Sequence, residues 1–154
     1  MPGTPFLYYG DELMMKTSPI SSKDGGYQRT GVRIPMIWDN KSVNHGFSKT
    51  KGETYLPFYK KNKISVEDAI KDPNSLYNFI KKMIDIRKQN ESLRDNDFEI
   101  KENNSVITIS RGPSIELVIN TSDENIKLDG RVVISSEKLK DGLLPSYASA
   151  LIER

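Results

Sequence analysis

Gly3-Thr4-Pro5-Phe6-Leu7-Tyr8-Tyr9-Gly10-Asp11-Glu12 is the stretch on which the reading of this chain turns. Between its two glycines the run is apolar and rich in β-formers, with no alternation of polar and apolar residues. Such a pattern suits a strand buried on both faces of a parallel sheet. A parallel strand needs parallel neighbours, and no later part of the chain offers the series of strand-helix-strand units that would supply them. The expectation is therefore a buried strand without its sheet.

The residues that follow sharpen the oddity. From Asp11 to about Ile64 the chain is rich in Gly, Ser, Lys, Asn and Pro, with single apolar residues such as Val32, Met36, Trp38, Phe47, Leu56 and Phe58. A structureless stretch of this length is uncommon in a compact domain and is usually functional or held by a partner surface. It reads as a long, partner-supported loop. Helical signals come next: Ser65 ahead of Val66-Glu67-Asp68 caps a short helix ending near Lys71. Asp72-Pro73 then opens a longer helix to about Gln89, with Leu76, Tyr77, Ile80, Met83 and Ile84 on one broad apolar face.

After Leu93 the period changes to two. Short β-rich segments over 97–102, 106–111, 115–120, 125–128, 131–135 and 147–153 are separated by turn residues such as Asn103-Asn104, Gly112-Pro113, Asp129-Gly130 and Asp141-Gly142. This predicts an antiparallel β-sandwich beyond a boundary near Arg94 to Asn96. The fold class is α+β, with residues 1–94 and 95–154 as the two parts.

Composition narrows the functions. The chain has 154 residues, 36% of them apolar, with 23 basic against 21 acidic residues and no basic stripe, so neither nucleic acid nor membrane is an expected partner. The one dense basic group, Lys60, Lys61 and Lys63, reads as a solvated loop. Without cysteine there is no disulfide scaffold or thiolate metal site, and no cofactor or metal is expected. The first residues lack a basic n-region and a long apolar run, so the default location is cytoplasmic.

The opening decapeptide closely resembles the eighth barrel strand of the α-amylase family of glycoside hydrolases. Arg29-Thr30-Gly31-Val32-Arg33-Ile34-Pro35-Met36-Ile37-Trp38-Asp39 resembles the loop after that strand in the α-glucosidase and oligo-1,6-glucosidase branch, where the pattern is Arg-Thr-Pro-Met-Gln-Trp. Asn44-His45-Gly46-Phe47-Ser48, the helix from Asp72 to Asn90 and the closing Leu144-Pro145-Ser146-Tyr147 resemble later parts of the same branch, in order. Ile34 and Ile37 depart from the pattern, standing where it has Thr and Gln.

The resemblance implies the remnant of a (β/α)8 barrel, its last strand, loop and helix, followed by the family's β-domain. A whole barrel takes about 250 residues. The parent activity would be hydrolysis of short α-glucosides, and the expected partners are the missing amino-terminal barrel segments, with self-association through the bared barrel elements. Retaining hydrolysis needs two carboxyl groups about 5 Å apart, and the family motifs that carry them are not in this sequence. The catalytic assignment is therefore none, and the chain alone is expected to be inactive.

Asp11-Glu12 is the only acidic pair at a predicted strand end, but adjacent residues point apart. The resemblance assigns substrate binding to Arg33, at the innermost glucose subsite, and to Arg29, at the next one outward. Tyr27, Trp38 and Phe47 read as anchors of the loop, and His45, the lone histidine, as a turn residue. A reading from another class is a stand-alone β-sandwich acting as a binding module, although its strands show few exposed aromatics.

Overall fold

The computed structural model describes residues 3–21, 29–95 and 97–154. The chain separates into two compact units, Phe6–Lys82 and Met83–Arg154, the latter together with Met1–Pro5. The division falls inside the long helix, ahead of the point where the hydrophobic period changes. Tyr27 lies outside the described residues.

In the unit Met83–Arg154 alternation has produced a five-stranded antiparallel sheet of order β1-β2-β3-β7-β5. Its strands are β1 (Glu99–Asn103), β2 (Val106–Arg111), β3 (Ile115–Asn120), β5 (Arg131–Ser135) and β7 (Ser149–Glu153). The remaining two, β4 (Ile126–Lys127) and β6 (Leu143–Leu144), form a separate two-stranded ribbon. β6 has no counterpart among the predicted segments. The β1–β2 hairpin closes through Asn104 (φ 45°) and Ser105 (φ 65°), the pair of positive φ values that a two-residue turn needs to match strand twist.

Register puts Val118 opposite Ala150 and Glu116 opposite Ile152, so these side chains share one face. On that face Val118, Ala150 and Ile152 meet Leu144 of the ribbon and Ala148, with Ile126, Leu128 and Val132 packed around them. Ile152 is 1% exposed and Leu144 fully buried. Each side chain of that size contributes about 1.5–3 kcal/mol on burial.

The unit Phe6–Lys82 is built differently, and here two expectations are corrected. The opening run forms no strand among its described residues, and Phe6 is 91% exposed and Leu7 57%. A strand exists only through a neighbour's backbone. Here the Tyr8 N–H is taken instead by the Asp11 carboxylate at 2.9 Å, and left-handed Gly10 (φ 93°) turns the chain into a 3-10 turn over Asp11–Leu13. The second correction concerns the long loop, which is not structureless. It carries further turns at Thr30–Val32 and Val43–Gly46 and buries Ser18, Thr30, Ile34, Met36, Ile37 and Leu56. Singly spaced apolar residues carry no periodicity, yet they converge: Leu13, Met36 and Ala69 form a small core with Met15, Val66 and Tyr77.

Helix α1 (Val66–Lys71) organises this unit. Ser65, fully buried, accepts from the Asp68 N–H at 3.1 Å and Asp68 returns a bond to the Ser65 N–H, a capping box. The next N–H groups are also used: Val66 donates to the Ile37 carbonyl (2.9 Å) and Glu67 to that of Trp38 (3.0 Å). The helix start therefore fixes the loop main chain. Helix α2 spans Leu76–Gln89, starting after Asp72-Pro73 rather than at it, because Asp72 closes a turn onto the Asn74 N–H (2.9 Å). Ser75 takes the capping place, accepting from Asn78 N–H at 3.2 Å, while the Asn78 amide ties down the carbonyls of Ala69, Ile70 and Asp72. None of the residues of α2 is buried, and Met83 and Ile84 are 44% and 41% exposed.

Candidate functional site

The candidate site lies in the unit Phe6–Lys82, where Arg29 and Arg33 flank the Thr30–Val32 turn. The turn is fixed from inside. Thr30 is 2% exposed, and a Cβ on Gly31 would sit 2.1 Å from the Ser18 carbonyl oxygen, so only glycine permits this approach. The Ser18 N–H closes it by donating to the Gly31 carbonyl at 3.0 Å. Both arginines are exposed at the ends of this clamped turn. Their backbones close the turn: Val32 N–H donates to the Arg29 carbonyl and Arg33 N–H to that of Thr30.

Tyr9 lies close enough to Arg33 to feel its charge, an association that spacing in the sequence did not signal. The Tyr9 hydroxyl donates to the Ile34 carbonyl at 3.2 Å, and the two tyrosine rings lie 4.7 Å apart. Burial raises the Tyr9 pKa above its ordinary value, Tyr8 adds to the rise, and the positive charge of Arg33 opposes it. A small cleft of about 110 Å³ is lined by Tyr8, Tyr9, Gly10, Gly31, Val32 and Ile34 among others. Sites for small molecules usually enclose roughly 300 Å³ or more. The turn thus presents two exposed arginines, and the tyrosine-lined cleft beside it lacks the walls to enclose a small molecule.

Asp11 and Glu12 do another job. The Asp11 carboxylate accepts from Tyr8 N–H at 2.9 Å and that of Glu12 from Gly10 N–H at 2.8 Å. Both carboxylates hold the bend of the main chain. Ile34 and Ile37, the departures from the resembling pattern, are 2% and 7% exposed. In this chain both positions are buried apolar residues, Ile34 also closing one side of the cleft by Tyr9.

The remaining candidates separate. Phe47 and His45 both pack edge-on against Phe58, with centroids 6.3 and 4.8 Å away. Trp38 is held by its main chain, its N–H donating to the His45 carbonyl at 2.9 Å, and the residue is 49% exposed. His45 is a turn residue with φ 50°, its carbonyl also accepting from Asp39 N–H. The Asp39 carboxylate accepts from the N–H groups of Ser42 and Lys41 at 2.5 and 2.7 Å, and these bonds hold its pKa below the ordinary value, Ser42 contributing most. Among the described residues no group of three His, Asp or Glu side chains could hold a metal ion.

Residues 1–96 match the family description Alpha amylase, catalytic domain. The chain belongs to the alpha-amylase catalytic-domain family. Within that family it is 35% identical over 103 residues to Alpha-amylase 3 of Dictyoglomus thermophilum, covering 64% of this chain and 18% of that protein. It is 30% identical over 121 residues to Oligo-1,6-glucosidase of Parageobacillus thermoglucosidasius, covering 59% and 21%. The match to Trehalose synthase of Pimelobacter sp. is 37% over 105 residues, covering 64% and 17%. The chain thus spans less than a quarter of the length of these curated relatives. Among solved structures, the trehalulose synthase from Pseudomonas mesoacidophila MX-45 superposes with a TM-score of 0.75 at 23% identity, over 99% of this chain and 36% of that one. That likeness shows the fold: an α+β chain with an antiparallel sheet, matched to part of a larger alpha-amylase family protein. Among the described residues no helix is long and apolar enough to cross a membrane.

Proposed function

We propose that this chain supplies the carboxy-terminal part of a glycosidase acting on short α-glucosides. On this reading residues 1–94 complete a (β/α)8 barrel, residues 95–154 form the β-domain behind it, and the catalytic carboxylates lie on other segments of the parent enzyme. Arg33 serves the innermost glucose subsite and Arg29 the next one outward, each donating hydrogen bonds to sugar hydroxyls. The barrel segments cover the run Phe6 to Tyr9 and the apolar face of α2, surfaces through which the chain alone self-associates. Its setting is the cytoplasm.

The observation that carries this reading is the division of labour at the candidate site. Two exposed arginines flank the turn whose Gly31 and Val32 line a cleft with Tyr8 and Tyr9, while both nearby carboxylates are engaged by main-chain N–H groups. Binding chemistry is present and acid–base chemistry is not supplied by these two groups. Relatives named Oligo-1,6-glucosidase and Glucan 1,6-alpha-glucosidase support the substrate class. The test is incubation of the full chain with maltose, isomaltose, sucrose and a nitrophenyl α-glucoside. No product above buffer is expected. Turnover that disappears in Glu12→Gln would place catalysis on this chain and overturn the proposal.

A further inference from the structure

The two edges of the five-stranded sheet are not alike. Strand β5 is half-buried from Val132 to Ser135, whereas every residue of β1 is exposed. The two-residue turn at Asn104 and Ser105 makes Asn103 and Val106 a hydrogen-bonded pair, and such pairs alternate along the strand. Asn103, Lys101 and Glu99 therefore bond to β2. Ile100 and Glu102 turn their N–H and C=O groups to the free edge, where no strand pairs with them among the described residues. An open edge of this kind is a template for another strand.

The side chains decide which strand fits. Glu99 and Lys101 stand opposite Ser110 and Thr108 and share one face, while Ile100, opposite Ile109 and 54% exposed, stands on the other. Glu99 and Lys101 pair with each other at 3.0 Å, each side chain 65% exposed, which leaves both open to a further charge. Read outward from Ile100 the strand is antisymmetric in charge, with Glu99 on one side and Lys101 on the other. An antiparallel copy centred on Ile100 sets Glu99 of each chain against Lys101 of the other, and Ile100 against itself. Centring on Glu99, Lys101 or Glu102 instead sets that charge against its own like, which disfavours the pairing.

We propose that β1 pairs with β1 of a second copy about a two-fold axis through Ile100, joining two sheets into one. A two-fold contact needs a patch that complements itself, and the register centred on Ile100 meets that condition. The outward N–H and C=O groups of Ile100 exchange hydrogen bonds across the axis, and those of Glu102 meet the same groups of Phe98 in the other copy. Glu99, Lys101 and their counterparts form a ring of alternating charge on one face. Edge charges that repel other strands thus admit this one. The contact uses neither Phe6 to Tyr9 nor α2, so it is additional to association through those surfaces, and it does not depend on the glycosidase reading.

The chain has no cysteine, so one introduced thiol reports one position. Disulfide formation by the full chain at about 100 μM in a glutathione buffer tests the register, each rate divided by that variant's rate with a small aromatic disulfide to correct for thiol reactivity. Opposed Ile100 residues would lie about 5.5 Å apart at Cα, inside the disulfide range of about 4.4–6.8 Å. The two copies of Lys101 would lie about 8 Å apart, outside it. Ile100→Cys should therefore form covalent dimer about tenfold or more faster than Lys101→Cys, and faster by the same margin than Asp141→Cys in an exposed turn. An equimolar mixture of Glu99→Cys and Lys101→Cys should match Ile100→Cys. Association through other surfaces brings copies together without this order of rates. Adding Lys101→Glu to Ile100→Cys should remove the advantage, and adding Glu99→Lys to that pair should restore it, with the far-ultraviolet strand signal unchanged throughout. Equal rates at positions 100, 101 and 141, a mixture no faster than Lys101→Cys alone, or an advantage untouched by Lys101→Glu overturns the proposal.

Discussion

The unit Met83–Arg154 is held by repetition and the unit Phe6–Lys82 by single bonds. In the first, five strands pair through ladders, broken by one register shift between Val132 and Ile134, and Leu144, Ala150 and Ile152 fill a common core. In the second, the buried cluster among the described residues is Leu13, Met36 and Ala69, and the main chain is fixed by bonds made one at a time, from Ser18, Asn62, Ser65 and Asn78. Ladders lose one bond without losing register, whereas a loop clamped at one point loses its conformation with that point. The arginines of the candidate site sit in the second unit. Functional groups on loops over a scaffold are a common arrangement, and here the loop has part of its scaffold in α1.

The largest expected effect attacks the sheet unit where it is polar. Asn120 is 1% exposed, and its amide donates to the carbonyls of Glu124 and Pro145 while its oxygen accepts from the N–H and hydroxyl of Ser122. Asn120→Leu strands these partners and should cost about 3–4 kcal/mol in urea unfolding, read by far-ultraviolet circular dichroism. A cost under about 1 kcal/mol would mean that the network is dispensable and the sheet rests on apolar packing alone. Next is Gly31→Ala, whose Cβ would meet the Ser18 carbonyl. It should destabilise the Thr30–Val32 turn by about 2 kcal/mol or more, moving Trp38 emission while the strand signal stays put. A change in both signals would show that the two units share one transition.

Acid should loosen the loop unit ahead of the sheet. Asp39 and Asp68 have folded pKa values below the ordinary one, Asp68 chiefly through its bonds from the Ser65 side chain and N–H. A depressed carboxylate contributes stability that is complete above its unfolded pKa and is lost as pH falls through the folded one. The window is therefore at and below about pH 4. Trp38 emission should change there, and Asp68→Asn should remove part of the effect while destabilising the loop unit at neutral pH. An acid midpoint identical in Asp68→Asn and parent would remove Asp68 from the account.

What could be read from residue order follows the same division. The predicted limits of β2, β3 and β5 coincide with the observed ones, since alternation and turn residues such as Asn104 and Gly112 are local signals. The Ser65 cap was legible for the same reason. β6 was not: two leucines gain strand character only by pairing with Ile126 and Lys127. The opposite error at Phe6 to Tyr9 has the same source, because an apolar run states that it prefers burial and not what would bury it. Arg29 and Arg33 were singled out through resemblance, not through a local signal. Tyr9 beside Arg33, and Ile34 and Ile37 turned into the core, depend on contacts between distant segments.

The smallest expected effect belongs to the most apolar position. Phe6, 91% exposed, should be replaceable by Ser with a change within about 0.5 kcal/mol in the stability of the full chain at concentrations low enough to keep it monomeric. A larger loss there would mean that the run is covered by another part of the same chain.

The contrast between the units is tested most directly by one titration with two probes. Trp38 is the only tryptophan and lies in Phe6–Lys82, while the far-ultraviolet strand signal comes from β1 to β7. With urea, Trp38 emission should change at a clearly lower midpoint than the strand signal, the mark of units that unfold separately. Superimposable transitions at one midpoint would contradict the account, since the loops with Arg29 and Arg33 would then be as firmly held as the sheet.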